Sequence, residues 1–326
     1  MAIPSHPKIE GLDVIQAIYK QIGDHGIRTD ILVPQTPFNG KRPVIILFHG
    51  GGLVAGDSLL MDWWSNWVPD IARQHGAVIV SPNYRLMPEA TSTEIYDDVD
   101  DFWNWFHSPA LKNLLAAHTA PTELDYSRLL VTGPSAGGLL GIYLALAHPA
   151  EIRAAAVAYP WVDPVSPFFT APPENPPVGQ HFPESIIDDI LASAAPGTPV
   201  SSDATPNRIA FMLAAVEHGR LAGFYKRDSE GTPRGRLYPM EKIEEPDLEI
   251  PRGGIAVIQG RQDSIVPLCD VERFVTRLRE VTKNSPGGEK VMFTVRDGGH
   301  GFDGDTHYEE KWLQHTLKMA VETWLE

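Results

Sequence analysis

A single cysteine, Cys269, in a chain of 326 residues leaves no intramolecular disulfide to form, which agrees with a reducing compartment. Basic residues are scarce too. There are 27 Lys and Arg against 42 Asp and Glu, a formal net charge of −15 with histidines neutral. That balance disfavours a nucleic-acid-binding module, which needs a basic surplus to neutralise phosphates. No apolar run approaches the roughly 18–20 residues that a membrane helix requires. The start, Met1-Ala2-Ile3-Pro4-Ser5-His6-Pro7, lacks the basic and then apolar stretch of a secretory signal. Together these absences predict a cytoplasmic protein without a membrane span. What is present is ordinary for a globular chain: 43% hydrophobic and 21% charged residues, enough to build a large core.

Short apolar, β-branched stretches alternate with helical patterns. Strands are expected over 44–47, 77–80, 128–132, 154–159, 254–259 and 290–295, with helices between them and a last helix over 308–324. Earlier, 14–21 and 27–33 read as a hairpin. This rhythm predicts an α/β fold with a mostly parallel sheet and helices on both faces. On the helix opened by Ser92 or Thr93, Ile95, Val99, Phe102 and Phe106 form the buried stripe, and Asp97, Asp98, Asp100 and Asp101 read as a solvated face rather than a metal site.

One stretch breaks the alternation. Pro164, Pro167, Pro172, Pro173, Pro176, Pro177 and Pro183 are too dense for a helix interior or a central strand. Helical candidates follow at 184–194 and 206–225, the second with Thr205 as N-cap and Pro206 in its first turn. The segment is longer than an ordinary crossover. It predicts a core over 1–160 and 251–326, with an inserted cap over 161–250.

Chemistry concentrates at the ends of strands. The strand over 128–132 runs into Gly133-Pro134-Ser135-Ala136-Gly137-Gly138, a G-x-S-x-G pattern between a strand and a helix. A serine in so tight a turn projects its hydroxyl above the sheet, so Ser135 is the candidate nucleophile. His49-Gly50-Gly51-Gly52 follows the strand over 44–47. Bare glycine backbone presents adjacent N–H groups to an oxyanion, and the N–H of Ala136 completes such a hole. The loop carries neither phosphate-binding glycine pattern, so nucleotide binding falls away.

A serine hydroxyl needs a base, and the base needs a carboxylate to fix its tautomer. His300, in Gly298-Gly299-His300-Gly301-Phe302, follows a late strand, whereas His307 and His315 read as surface residues. Asp263 follows the strand over 254–259 directly. Asp270 reads as a helix N-cap, and Asp297 lies too near His300 in sequence.

With these residues in hand, the chain resembles the hormone-sensitive-lipase-like esterases, the H-G-G-G branch of the α/β-hydrolase superfamily. The likeness rests on His49 to Gly52 with Gly56-Asp57, on Tyr84-Arg85-Leu86-Met87-Pro88-Glu89, on the Ser135 turn, and on the Asp263 and His300 loops. It implies Ser135 as nucleophile, His300 as base then acid, Asp263 as its orienter, and Gly50, Gly51 and Ala136 as oxyanion donors. His49, Arg85 and Glu89 take supporting roles, the Tyr84 to Glu89 segment bracing the oxyanion loop. Homodimers also occur in that family. Two departures stand out: Pro134 replaces the usual Asp before the nucleophile, and Val266 replaces a second Asp in the acid loop.

The mechanism so implied needs no metal or organic cofactor. Aromatic and sulfur side chains of the insertion, Phe168, Phe169, Phe182, Phe211, Met212, Phe224 and Tyr225, are candidate pocket walls as well as candidate cap core. Trp63, Trp64 and Trp67 follow the oxyanion loop closely enough to border the site. Three function classes fit. The first is a carboxylesterase for small or medium apolar or aromatic esters, natural-product esters among them. The second uses the same triad for lactone or thioester release, C–C bond hydrolysis, acyl transfer or dehydration. The third is a ligand receptor on an inactive scaffold.

Overall fold

The computed structural model describes residues 5–194 and 197–326, so Met1 to Pro4, part of the leader reading, lie outside the described residues. Eight strands form one sheet: β1 (Leu12–Ile22), β2 (His25–Pro34), β3 (Arg42–Leu47), β4 (Val78–Pro82), β5 (Leu124–Pro134), β6 (Ile152–Ala158), β7 (Ile255–Gly260) and β8 (Met292–Arg296). Their order is β1-β2-β4-β3-β5-β6-β7-β8. The β1/β2 hairpin and the β2/β4 pair are antiparallel, and every other pairing is parallel. The α/β fold with a mostly parallel sheet is thus as the sequence rhythm predicts, with strand ends shifted by a few residues.

Burial of both faces explains why the central strands read as continuous apolar runs. Val44 and Ile46 of β3 enter one core layer with Leu129 and Val131 of β5 and Ile255 and Val257 of β7. Ile45 and Leu47, Leu130, and Ala256 and Ile258 enter the opposite layer. Helices α1 (Trp67–His75), α2 (Ser92–Phe106), α3 (Pro109–Ala116) and α4 (Ala136–Ala147) follow the first strands. The segment between β6 and β7 holds α5 (Pro167–Thr170), α6 (Ser185–Ser193), α7 (Ile209–Glu217), α8 (Leu221–Lys226), α9 (Arg234–Leu237) and α10 (Pro239–Lys242). Helices α11 (Leu268–Thr282) and α12 (Lys311–Leu325) complete the chain. Helices α2, α4 and α11 cover one sheet face, and α1 and α12 cover the other. No helix among the described residues is long and apolar enough to cross a membrane.

Several local expectations are corrected. Thr91, not Ser92 or Thr93, caps α2: its hydroxyl accepts from Glu94 N–H while the Glu94 carboxylate accepts from Thr91 N–H, a complete capping box. Asp98 is not on a solvated face. It is fully buried, bound by the Arg85 guanidinium at 2.9 Å and the Lys20 ammonium at 2.6 Å. The single helix expected over 206–225 is two, α7 and α8, with Gly219 at φ +63° between them. Thr205 does not cap α7. The N-cap is Arg208, with no side-chain cap, and the Asp203 carboxylate instead fixes the lead-in to the helix by accepting from the N–H groups of Asn207 and Arg208. Asp270 lies inside α11, whose N-cap is Pro267.

Because β3, β5, β7 and β8 run parallel, their C-terminal ends bring the loops after residues 47, 134, 260 and 296 to one edge of the sheet. That edge is where open α/β sheets place their ligand sites.

Candidate active site

Ser135 sits between β5 and α4 at φ +55°, ψ −120°. This region is unfavourable for a side-chain-bearing residue and persists only where neighbours over-determine it. Its N–H donates to Ala158 O at 2.9 Å, and its carbonyl accepts from Leu139 N–H at 3.1 Å and Trp161 N–H at 3.0 Å. The flanking glycines are required by close approach: a Cβ on Gly137 would overlap the Phe48 carbonyl, and one on Gly133 would overlap Gly137 itself. The turn is therefore wedged against the end of β3, where the glycine loop begins.

His300 is held from behind. Its Nδ1 lies 2.9 Å and 3.1 Å from the two oxygens of Asp263. That carboxylate is fully buried and also accepts from the Ile265 and Val266 N–H groups, both at 2.9 Å, and from the Gln259 amide at 3.1 Å. So many donors hold the Asp263 carboxylate in one orientation. An Nδ1–H directed at it leaves Nε2 as the basic nitrogen of His300. Ser135, His300 and Gly50 to Gly52 line one cavity of about 280 Å³. Its remaining walls are largely apolar: Trp63, Pro134, Tyr159, Val178, Ile209, Met212, Leu213 and Ile265, with Asp62 beside Trp63.

Gly51 takes φ +104°, and a Cβ there would strike the Ala55 carbonyl. Ala136 is the first residue of α4, so its N–H belongs to the first turn and has no acceptor within the helix. His49 is buried beneath the loop. Its ring stacks on Tyr84 at 4.2 Å, and its Nδ1 lies 2.8 Å from Gly50 O. Burial lowers its pKa to about 4. The imidazole is therefore neutral when folded and takes up a proton on unfolding once pH falls below its ordinary value of 6.5. Its contribution to stability is intact above that value and declines as pH drops toward 4, by on the order of 3 kcal/mol in all. A His49→Gln variant should consequently lose less stability than the parent between pH 7 and pH 5 in urea unfolding. Identical losses would contradict a buried neutral His49.

The expected supporting residues divide. Tyr84 braces the loop by donating to His49 O at 2.7 Å, and Met87 N–H donates to Leu53 O at 2.8 Å. Arg85 instead pairs with Asp98 and Glu94, and Glu89 with Arg208 at 2.6 Å, so neither touches the glycines. Among the candidate pocket residues, Trp63 and Met212 face the cavity. Phe211 and Phe224 pack against one another at 5.5 Å, away from its lining. Phe169 packs on Trp161, and the Tyr225 hydroxyl lies 2.9 Å from that of Tyr96, both within the core. His307 and His315 are exposed.

Two residues that sequence reasoning missed sit beside His300. The Tyr159 ring lies 4.5 Å from the imidazole, and burial, with the nearby Asp303 charge, raises its phenol pKa well above the usual range. Asp303, fully buried, accepts from Ser65 Oγ at 2.7 Å and Trp67 Nε1 at 2.9 Å, tying the His300 loop to the start of α1. The spacing His300-x-x-Asp303 was visible, but nothing marked that carboxylate as buried.

A family model described as the α/β-hydrolase fold matches residues 45–205, which include the glycine loop and the Ser135 turn. The chain has the α/β-hydrolase fold, and the matched stretch carries its likeness to the hormone-sensitive-lipase-like group. The chain is 28% identical over 318 residues to a Phoma sp. protein named probable carboxylesterase M8, with 94% of each chain covered. It is 32% identical over 206 residues to tuliposide A-converting enzyme 2 of Tulipa gesneriana, covering 61% of this chain and 51% of the tulip protein, about half that protein's length. Among solved structures it resembles Thermogutta terrifontis esterase 2 (TM-score 0.57, 15% identity, 98% and 96% of the chains) and a Staphylococcus aureus protein of unknown function (TM-score 0.65, 17% identity, 95% and 98%). Those two likenesses concern the hydrolase fold.

Proposed function

We propose that the protein is a serine carboxylesterase acting on small to medium, uncharged, apolar or aromatic esters. The observation that carries this reading is the single cavity shared by the strained Ser135, the Asp263-bound His300 and the glycine loop. Ser135 Oγ attacks the ester carbonyl carbon while its proton passes to His300 Nε2. The resulting oxyanion is met by the N–H groups of Gly50, Gly51 and Ala136, which stabilise charge that appears only at that stage. Collapse breaks the C–O bond, and the departing alcohol takes the proton from His300. Water then attacks the acyl-enzyme, His300 accepts its proton, and return of that proton to Ser135 releases the acid. Asp263 holds the imidazole tautomer throughout. Residues 161–250 serve as the cap, with α7 supplying Ile209, Met212 and Leu213 to the substrate wall.

The lining supports the substrate class. Its ionisable side chains are Asp62, Tyr159 and His300, with no Lys or Arg among them, and the chain as a whole carries −15. A carboxylate on the substrate would meet like charge and find no cationic partner. The assay is hydrolysis of p-nitrophenyl acetate, butyrate and hexanoate, with the p-nitrophenyl hemiester of succinic acid alongside. The neutral esters should turn over, and the hemiester should show kcat/KM at least roughly tenfold below butyrate, which is about 1.4 kcal/mol of discrimination. No turnover of any ester would overturn the activity, and equal use of the anionic ester would overturn the substrate class.

A further inference from the structure

The glycine loop does not hold its own shape. Gly51, Gly52, Leu53 and Gly56 all lie at positive φ, between +59° and +108°, and Leu53 has no glycine freedom to excuse it. A run of such residues persists only where the surroundings impose it. Part of that constraint comes from the core, through Tyr84 and Met87. The other part comes from the segment inserted between β6 and β7.

Asp203 forms an isolated antiparallel bridge with Gly56, its N–H donating to Gly56 O at 2.8 Å. Next to it, Ser202 Oγ donates to Asp57 Oδ2 at 2.6 Å. Asp57 is buried and held from its other side by the Arg28 guanidinium at 2.7 Å and by Leu59 N–H at 2.8 Å. Burial alone would raise its carboxyl, yet the Ser202 hydroxyl and then Arg28 bring it below the usual carboxylate range. One helical turn into α7, Met212 sits so close that a Cβ on Gly52 would lie 2.8 Å from its Cγ. The same strip is pinned to the core by Leu86 N–H donating to Val200 O at 2.7 Å and by Arg208 reaching Glu89. Asp203 also holds the lead-in to α7, accepting from the Asn207 and Arg208 N–H groups. The bridge to the glycine loop, the anchor of the lead-in to α7 and the substrate-facing side chain of Met212 therefore fall within ten consecutive residues.

We propose that residues 202–212 set the oxyanion donors in place, with Ser202 as a positioning residue acting on the glycine loop through Asp57. The inference rests on the esterase reading above and assigns the inserted segment a role in kcat as well as in substrate contact. Ser202 is the informative position because its loss leaves Asp57 paired with Arg28. The charge stays compensated, and only the hydroxyl tie from Ser202 to Asp57 is cut, while the Asp203–Gly56 bridge remains.

The test compares the parent with Ser202→Ala and Ser202→Thr. The first readout is turnover of p-nitrophenyl acetate, and the second is inhibition by an alkyl boronic acid, whose tetrahedral adduct places an oxygen in the oxyanion hole. Displaced donors should lower kcat for Ser202→Ala by roughly 10- to 100-fold with KM little changed. Boronate affinity should fall in parallel, and Ser202→Thr, which keeps the hydroxyl, should restore both. The proposal is overturned if kcat is unchanged, if KM alone rises, or if kcat falls while boronate affinity holds. A parent protein that hydrolyses no ester and binds no boronate overturns the esterase reading and this inference together. An active parent with an indifferent Ser202→Ala variant overturns only the latter.

Discussion

Ser135→Ala is expected to remove ester hydrolysis, lowering kcat on p-nitrophenyl butyrate by on the order of 10⁴-fold or more, without unfolding the protein. The size of the effect follows from the position. No neighbouring hydroxyl shares the turn at φ +55°, and an alanine there leaves the oxyanion donors with no tetrahedral intermediate to stabilise. Stability should change little or even rise, because the constraints on the turn are set by Gly133, Gly137 and the Ser135 backbone hydrogen bonds rather than by the hydroxyl. The checking measurements are steady-state kinetics and thermal unfolding of the same preparation. A variant with parental turnover would remove Ser135 from the mechanism.

The second large effect separates two acids that both lie just beyond β7. Asp263→Asn should lower kcat by roughly 10⁴-fold, since a neutral amide no longer fixes the Nδ1–H tautomer or balances the imidazolium. Asp270→Asn should leave kcat within a few-fold of the parent. Asp270 is bound to Arg273 at 3.1 Å inside α11, where burial raises its carboxyl above the ordinary value, and it does not line the cavity of Ser135 and His300. Reversal of the two results would mean that the acid has been assigned to the wrong residue. Measuring both variants at pH 7 and pH 9 guards against a simple shift of the His300 titration being read as lost catalysis.

What could be read from the sequence follows a physical boundary. Strands buried on both faces announce themselves as short β-branched runs, and Gly133-Pro134-Ser135-Ala136-Gly137 and His49-Gly50-Gly51-Gly52 stand at their ends because close backbone approach leaves no room for side chains. Those signals are local. Asp98 was misread because the α2 pattern alone says nothing of Arg85, which arrives from the loop after β4 and takes the carboxylate into the interior. Asp303 and Tyr159 were missed for a like reason: their partners, Ser65, Trp67 and His300, are distant in sequence or lie across a loop. The cavity walls were only half legible. In α7 the residues from Phe211 to Val216 are all buried, so no periodicity distinguishes the side that meets substrate, where Met212 lies, from the side that packs on α8, where Phe211 lies. Likewise the split between α7 and α8 was hidden because an isolated glycine is tolerated within many helices.

The central claim is that one hydroxyl, one imidazole and three backbone donors act at the same carbonyl. Its most direct measurement is the structure of the protein after reaction with a fluorophosphonate. A phosphonyl group bonded to Ser135 Oγ, with its oxygen within hydrogen-bond distance of Gly50, Gly51 and Ala136 N–H and with His300 Nε2 beside the ester oxygen, is the expected result. Attachment at another residue, or an adduct on Ser135 whose oxygen points away from the glycine loop, would contradict it.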